Sequence, residues 1–284
     1  MGKINRVYLY LLFMELLVAY QDDPAGRNMA EYLSHDMDRD DCDYDGAQIW
    51  RSRWYDLMTI PTPAISADWL AENSQVLEGE YDGFVFLSRH SAESGVLALT
   101  CHSTGNFGEA RFGGRDREVA VPHPHLQRAY LRRLYENREL FSGFDVTIEA
   151  THHGPTSLDR PTLFIEIGTT QKQWENKNLC SSVATIVHDT LTSKIPDSPT
   201  AICIGGTHYP ARFTDELLHG SRSLGTVVPK RAVSQLDEDL FCHILKRNNM
   251  ASEILLDWNG ISGPDKRRLE ELLPTAGGLA VSRI

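Results

Sequence analysis

Cysteine is scarce in this 284-residue sequence, and the five that occur (Cys42, Cys101, Cys180, Cys203, Cys242) include no CxxC pair. An odd, scattered set excludes a disulfide framework and points to reduced thiols in a cytoplasmic protein, with Cys203 as buried filler inside "AICIGG". Lysine is scarce as well, 7 residues against 21 arginines, and the net charge of −11 excludes a globally basic polyanion binder. Any nucleic-acid partner must be met by a local basic patch. No long hydrophobic run is present. "MGKINRVYLYLLFMELLVAY" superficially resembles a signal peptide, but Glu15 interrupts it and no small-x-small site follows. No membrane span is therefore expected. Residues 1–13 read as an extension, with Met14 as an alternative start, and 14–284 as a single domain. Also missing are GxSxG, a Walker A sequence, HExxH, and GxGxxG after the first strand. Their absence disfavours a serine hydrolase, a P-loop NTPase, a zincin and an ordinary dinucleotide dehydrogenase. Water is then a better nucleophile than an enzyme side chain.

What is present is the pattern of an α/β protein: short apolar runs alternating with helical stretches. The predicted strands are 15–20, 84–88, 96–102, 145–152, 162–168, 201–206, 225–229 and 253–258. Several are apolar almost throughout, as suits strands covered on both faces. Asp23 before Pro24 predicts a capped helix start. Further helices are predicted over 125–140, 170–191 (with a Thr cap), 234–248 and 264–273. The acidic run "DMDRDDCDYD" (36–45) reads as a solvated loop or a salt-adapted surface. Residues 103–124, rich in Gly and Pro, read as a long functional or flexible loop.

Histidine placement carries most of the chemical information. His90 follows "FVFLSR", His102 ends "LALTC", His152 and His153 end "VTIEAT", and His208 follows "ICIGGT", while Glu166 lies in "FIEIG". Any one histidine at a strand end is ordinarily a hydrogen-bonded surface residue, and Glu149 by alternation faces solvent. The recurrence is harder to dismiss. In an open α/β sheet, polar residues at strand carboxyl ends meet in one crevice. Imidazoles gathered there serve as general bases near pH 7 or as zinc ligands, with a carboxylate such as Glu149 or Glu166 orienting them. Gly105 and Asn106 in "GNFG", and Gly206 in "IGG", let backbone N–H groups approach an oxyanion or a phosphate. Hydrolysis is the chemistry these residues permit.

The stretches "LTCHSTGNFGEA" (99–110), "EATHHGPTSLDRPTLFIEIGTTQKQW" (149–174), "CIGGTHYPARFT" (203–214) and "LDWNGISGPDKRRLEELL" (256–273) together resemble the archaeal-type D-aminoacyl-tRNA deacylases, also found in plants. The resemblance runs from about Leu17 to residue 273. It implies a mixed, mostly parallel sheet flanked by helices, similar to nucleoside phosphorylase and peptidyl-tRNA hydrolase folds. It implies hydrolysis of the ester between a D-amino acid and the tRNA 3′ end, and an association with Zn²⁺. On this reading His102, His152, His153 and Glu166 are catalytic, and His152, His153 and His208 are the metal candidates. Asn106, Gly105, Gly206 and His90 contact substrate. Arg111, Arg115, Arg132, Arg133, Lys266 and Arg267 meet tRNA, and the protein works as a cytoplasmic monomer without a protein partner. Thr207 stands where the family has Gly in "GGGHY", and Thr169 where Ser is common, so Thr207 bears on backbone approach near His208. The rival readings are a related hydrolase or phosphorylase acting on peptidyl-tRNA or nucleosides, and a non-catalytic RNA-binding module. The latter is disfavoured by the lack of aromatic-rich basic motifs.

Overall fold

The computed structural model describes residues 14–44, 46–71, 81–92 and 95–284. The predicted extension 1–13 lies outside the described residues, as do the side chains of 41–45, including Cys42. In chain order the elements are β1 (Glu15–Tyr20), α1 (Pro24–Leu33), β2 (Asp38–Tyr44), β3 (Ala47–Arg51), β4 (Tyr55–Ile60), β5 (Gly83–Ser91) and β6 (Ala98–His102). They continue with α2 (Pro124–Glu136), β7 (Asp145–Ile148), β8 (Thr162–Thr169), α3 (Gln171–Trp174), α4 (Lys177–Leu191), β9 (Thr200–Gly205) and α5 (Ala211–His219). Last come β10 (Ser223–Val228), α6 (Glu238–Arg247), β11 (Ala251–Asp257), α7 (Gly263–Leu272) and β12 (Ala280–Arg283).

The strands form two sheets. The larger has the order β2-β3-β4-β1-β5-β8-β6-β7, and the smaller has the order β10-β9-β11-β12. The smaller sheet is wholly parallel. In the larger, β2–β3, β3–β4 and β6–β8 run antiparallel and the other pairs run parallel. This is the expected mixed, mostly parallel architecture. Strands on either side of the 103–124 segment share the large sheet, because β8 inserts between β5 and β6.

Alternation along the strands separates the cores. Leu17, Ala19, Val85, Leu87, Leu99, Cys101, Leu163, Ile165 and Ile167 pack with residues of α1, α2 and α4. The opposite face carries Leu16, Val18, Phe84, Phe86 and Phe164, covered by Ala64, Ala67 and Leu70. The small sheet packs Ile202, Ile204, Ile254 and Leu256 against Leu240, Phe241, Ile244 and Leu269 of α6 and α7.

Local capping chemistry explains the helix starts. The Asp23 carboxylate accepts from Ala25 N (2.9 Å) and Gly26 N (3.0 Å), and its second oxygen accepts from Arg89 N (2.9 Å), tying α1 to β5. The helix predicted over 170–191 is two helices. Asn176 accepts from Leu179 N and restarts the chain as α4, while the Thr170 hydroxyl bonds Gln173 rather than capping. Asp237 likewise delays α6 to residue 238 by accepting from Leu240 N. Most of the acidic 36–45 stretch is not a loop: residues 38–44 of it are β2, at the edge of the large sheet, where charged side chains are tolerated. Cys101, Cys180 and Cys203 are buried free thiols, and Cys242 is an exposed one.

Candidate active site

The polar residues meet over a face of the large sheet rather than beyond a row of strand ends. The reason is that β6 runs antiparallel to β8, so its last residue, His102, sits opposite Phe164 near the start of β8. Thr100 pairs with Glu166, Ser88 with Glu166, and His90 with Gly168. Phe84, Phe86, Ser88 and His90 therefore point to one face, together with Phe164, Glu166 and His102. Gly168 leaves room there: a Cβ on it would lie 3.0 Å from His90 Cδ2. Glu149, following β7, joins this face and is buried, against the expectation that alternation would expose it.

His152 and His153 arrive on the segment after β7, which is tied down on both sides. Gly105 N donates to His153 O (2.7 Å), Thr151 N to Val227 O (2.9 Å), and Ala150 N to His208 O (2.8 Å). The Ser103 and Thr151 hydroxyls are 2.7 Å apart. The second sheet thus supplies both an anchor and, through the turn after β9, His208. His153 adopts φ 44°, a left-handed conformation unfavourable for a side chain with a Cβ, next to the most polar part of the interior.

Three imidazoles share one arrangement. The Nδ1–H groups of His102, His152 and His153 donate to the carbonyls of Ser103 (3.0 Å), Ala150 (2.8 Å) and Gly154 (2.6 Å). Each ring is thereby held with its Nε2 lone pair free, and the three ligand atoms lie within 4.8 Å of one another. His102 Nε2 is buried with no hydrogen-bond partner. A cluster of oriented, unpartnered imidazole nitrogens fits a divalent cation of zinc's ligand preference. The compact triad takes in His102, whereas His208 groups with Glu149 and His152.

Two buried carboxylates flank the triad. Glu166 lies 3.7 Å from His102 Nε2 and 3.9 Å from His153 Nε2, and its other oxygen accepts from His90 Nδ1 at 3.1 Å. Glu149 lies 2.9 Å from His208 Nε2, 3.6 Å from His152 Nε2 and 3.0 Å from His90 Nδ1. Neither Glu149 oxygen has a well-angled hydrogen bond. Burial opposes ionisation of both carboxyls, yet His208 and His90 around Glu149, and His102, His153 and His90 around Glu166, hold them below the usual carboxylate range. Burial disfavours the charged form of His90, but Glu149 and Glu166 outweigh it and push its pKa up to about 10. His152 goes the other way: burial and the charges of His102 and His153 push it well below the ordinary imidazole value.

Tyr209 completes the cluster and was missed from sequence, where its phenol has no periodic signal. Its hydroxyl bonds His90 Nε2, and burial with the nearby Glu149 and Glu166 raises its pKa to about 12. The glycine and asparagine candidates hold backbone. Asn106 Nδ2 donates to Gly113 O (2.9 Å) and Arg115 O (3.2 Å). Gly105 packs so closely that a Cβ would lie 2.6 Å from Val119. Gly206, at φ 75°, accepts from Lys230 N in the turn leading to His208. Thr207 is accommodated by facing outward, with its hydroxyl donating to Tyr209 O at 2.7 Å.

The basic candidates divide. Arg132 donates to Leu217 O and Gly220 O at the end of α5, and Arg133 donates to Ser193 Oγ. Lys266 lies over the Trp258 ring at 5.2 Å, with Arg267 exposed beside it. Arg111 and Arg115 project from the loop next to Gly154, with side chains 75% and 60% exposed. A separate groove of about 970 Å³, lined by residues such as Tyr32, Arg53, Trp54 and His188, contains none of the clustered imidazoles or carboxylates.

An α/β fold of two joined sheets, with a buried His–Glu cluster able to hold a metal ion, defines a candidate hydrolytic centre. The sequence pattern of the D-aminoacyl-tRNA deacylase family matches residues 77–280, and the chain belongs to that family. A D-aminoacyl-tRNA deacylase of Cenarchaeum symbiosum is 57% identical over 93% of this chain and 98% of its own. Another, of Pyrococcus horikoshii, is 31% identical over 93% and 98%. A crystal structure of a conserved protein of unknown function superposes with a TM-score of 0.89 at 28% identity, covering 96% of each chain. Among the described residues, no helix is long and apolar enough to cross a membrane.

Proposed function

We infer that this chain is a hydrolase that cleaves the ester joining a D-amino acid to the 3′ end of tRNA, returning free tRNA. The observation that carries this reading, on a chain of that family, is the convergence of three Nε2 lone pairs beside two buried carboxylates. His102, His152 and His153 would hold Zn²⁺, which supplies positive charge to polarise the ester carbonyl. The chain's own residues do the rest. Glu166 and the backbone carbonyls keep the imidazoles oriented. His208 is the most solvent-open imidazole of the cluster, at 30%. Glu149 lies 2.9 Å from its Nε2 and orients the ring, and this imidazole takes the proton of the attacking water. The same imidazole then returns the proton to the departing ribose oxygen. His90, locked between Glu149, Glu166 and Tyr209, stays charged and holds both carboxylates in place.

The two enantiomers of an aminoacyl ester offer identical functional groups, so discrimination rests on shape and on excluding the L side chain. Residues 14–284 act as one unit, a cytoplasmic monomer, with the exposed Arg111 and Arg115, on the loop that bonds Gly154, meeting the tRNA. Release of tyrosine from D-tyrosyl-tRNA and from L-tyrosyl-tRNA tests the reading: fast release of the D form alone is expected, and equal rates or none in zinc-supplemented buffer would overturn it. Metal content of the His102→Ala, His152→Ala and His153→Ala proteins tests the ligand set, each being expected to lose zinc.

A further inference from the structure

The reaction proposed above leaves open what holds the nucleotide that bears the ester, and one side chain beside the cluster is mounted for that task. Phe112 is 67% exposed. A single exposed apolar side chain is ordinary; its mounting is not. Gly154 N, one residue after His153, donates to Phe112 O at 3.0 Å. Asn106 Nδ2 clamps the carbonyls of Gly113 and Arg115, and Arg115 N donates to Thr156 Oγ1 at 2.9 Å. Gly113 and Gly114 take φ of 73° and 77°, and a Cβ on Gly113 would lie 1.8 Å from Ile65 O. A Cβ on Gly154 would lie 2.2 Å from Gly114 N. The 103–124 segment, expected to be a long functional or flexible loop, is here packed backbone to backbone against the segment that carries His153. The fixed element is the backbone, while the phenyl ring faces water.

Its neighbours are informative. Arg111 pairs at 3.2 Å with Glu109, itself 71% exposed, and Arg115 lies 3.9 Å from Glu118. The exposed Arg111–Glu109 pair is worth little and exchanges readily for a stronger anion, and Arg115 is itself 60% exposed with only a long contact to Glu118. An aromatic ring flanked by two available guanidinium groups is the composition of a stacking platform for unpaired nucleotides, in which the ring meets a base and the cations meet phosphates.

We propose that Phe112 stacks on the unpaired nucleobase of the 3′-terminal nucleotide, with Arg111 and Arg115 engaging the adjoining phosphates, so that the ribose ester is held over the His–Glu cluster. This rests on tRNA being the substrate and adds a contact to it. Phe112 is a substrate-positioning residue and takes no part in proton transfer.

The test uses the full chain and uncharged tRNA carrying 2-aminopurine in place of the terminal adenine. Wild-type protein is expected to quench the probe on binding. Phe112→Ala and Phe112→Leu are expected to lose the quench and to raise KM for D-tyrosyl-tRNA about 5- to 100-fold, the range for losing one stacked base, with kcat little changed. Phe112→Trp is expected to keep both. Removing the terminal nucleotide should weaken wild-type binding and leave Phe112→Leu unaffected. An unchanged quench in Phe112→Leu, or equal loss in Phe112→Trp, would overturn the proposal. A normal quench with no hydrolysis of the D ester would instead overturn the catalytic reading and leave the platform standing.

Discussion

The inward face of β5 and β8 contains two regions built by one alternation. At one end Phe84, Phe86 and Phe164 form a dry layer, with Phe86 and Phe164 stacked at 4.7 Å between centroids. At the other end, two to four residues further along the same strands, stand Ser88, His90 and Glu166. The backbone register is continuous, and only the side chains change. The apolar half gains free energy by leaving water, whereas the polar half keeps charged groups out of water and leaves the Glu149 oxygens and His102 Nε2 without hydrogen bonds. Such an arrangement is retained for what it binds rather than for what it stabilises. The phenyl layer also serves the cluster, because the rings of His102 and His153 lie 5.5 and 4.8 Å from Phe164.

The contrast is sharpest where activity and stability separate. Replacing His152 or His102 by Ala should lower the deacylation rate by about 10²- to 10⁴-fold while thermal unfolding of the metal-free protein changes little, as steady-state kinetics and calorimetry would record. A matching loss of stability would mean that the cluster is ordinary core. In the dry half, Phe164→Ala should cost about 3–5 kcal/mol in denaturant unfolding, since it leaves a ring-sized cavity. It should also reduce activity, because two imidazoles lose their floor. Glu166→Gln divides the regions more finely: because His90, His102 and His153 hold this carboxyl below its ordinary range, losing the charge should lower the unfolding midpoint at pH 7, while hydrolysis falls at least tenfold. A midpoint that does not move with hydrolysis still lost would mean that the carboxylate serves the chemistry alone.

The smallest effect is expected far from the face. Burial raises the Glu253 pKa, but Arg222 and Ser282 outweigh this and hold it below its ordinary value. A carboxylate depressed in the folded state adds stability above its unfolded pKa, near 4.3, and loses it as pH falls through the lower folded value. Glu253→Gln should therefore cost about 0.5–1 kcal/mol at pH 7, given its partly exposed partner, and the difference from wild type should shrink in unfolding curves measured below about pH 4.

Strands with continuous apolar runs were legible almost to the residue: β1 matches its predicted bounds, and β5, β8 and β9 lie within one to three residues of theirs. β2–β4, β12 and the short α5 were not read. β2 is rich in aspartate and acquires strand structure only by pairing with β3, where Arg51 answers Asp40. β4 carries Asp56, which the Arg51 guanidinium at the end of the neighbouring β3 neutralises at 2.7 Å, a pairing that a charged residue in a strand pattern does not announce. Arg132 reads as a free cation in a helical pattern, yet its fork is occupied by the end of α5.

Residue types and local periodicity sufficed to set the fold class, the capped start of α1 and the set of imidazoles worth watching, because burial, helix capping and strand alternation act over a few neighbouring positions. Which imidazoles converge, how Glu149 became buried, and that Tyr209 joins them were decided by the antiparallel insertion of β6 against β8 and by the contact of the second sheet with residues 150–151. Those pairings join residues tens of positions apart, and their direction and register depend on the packing of the whole chain.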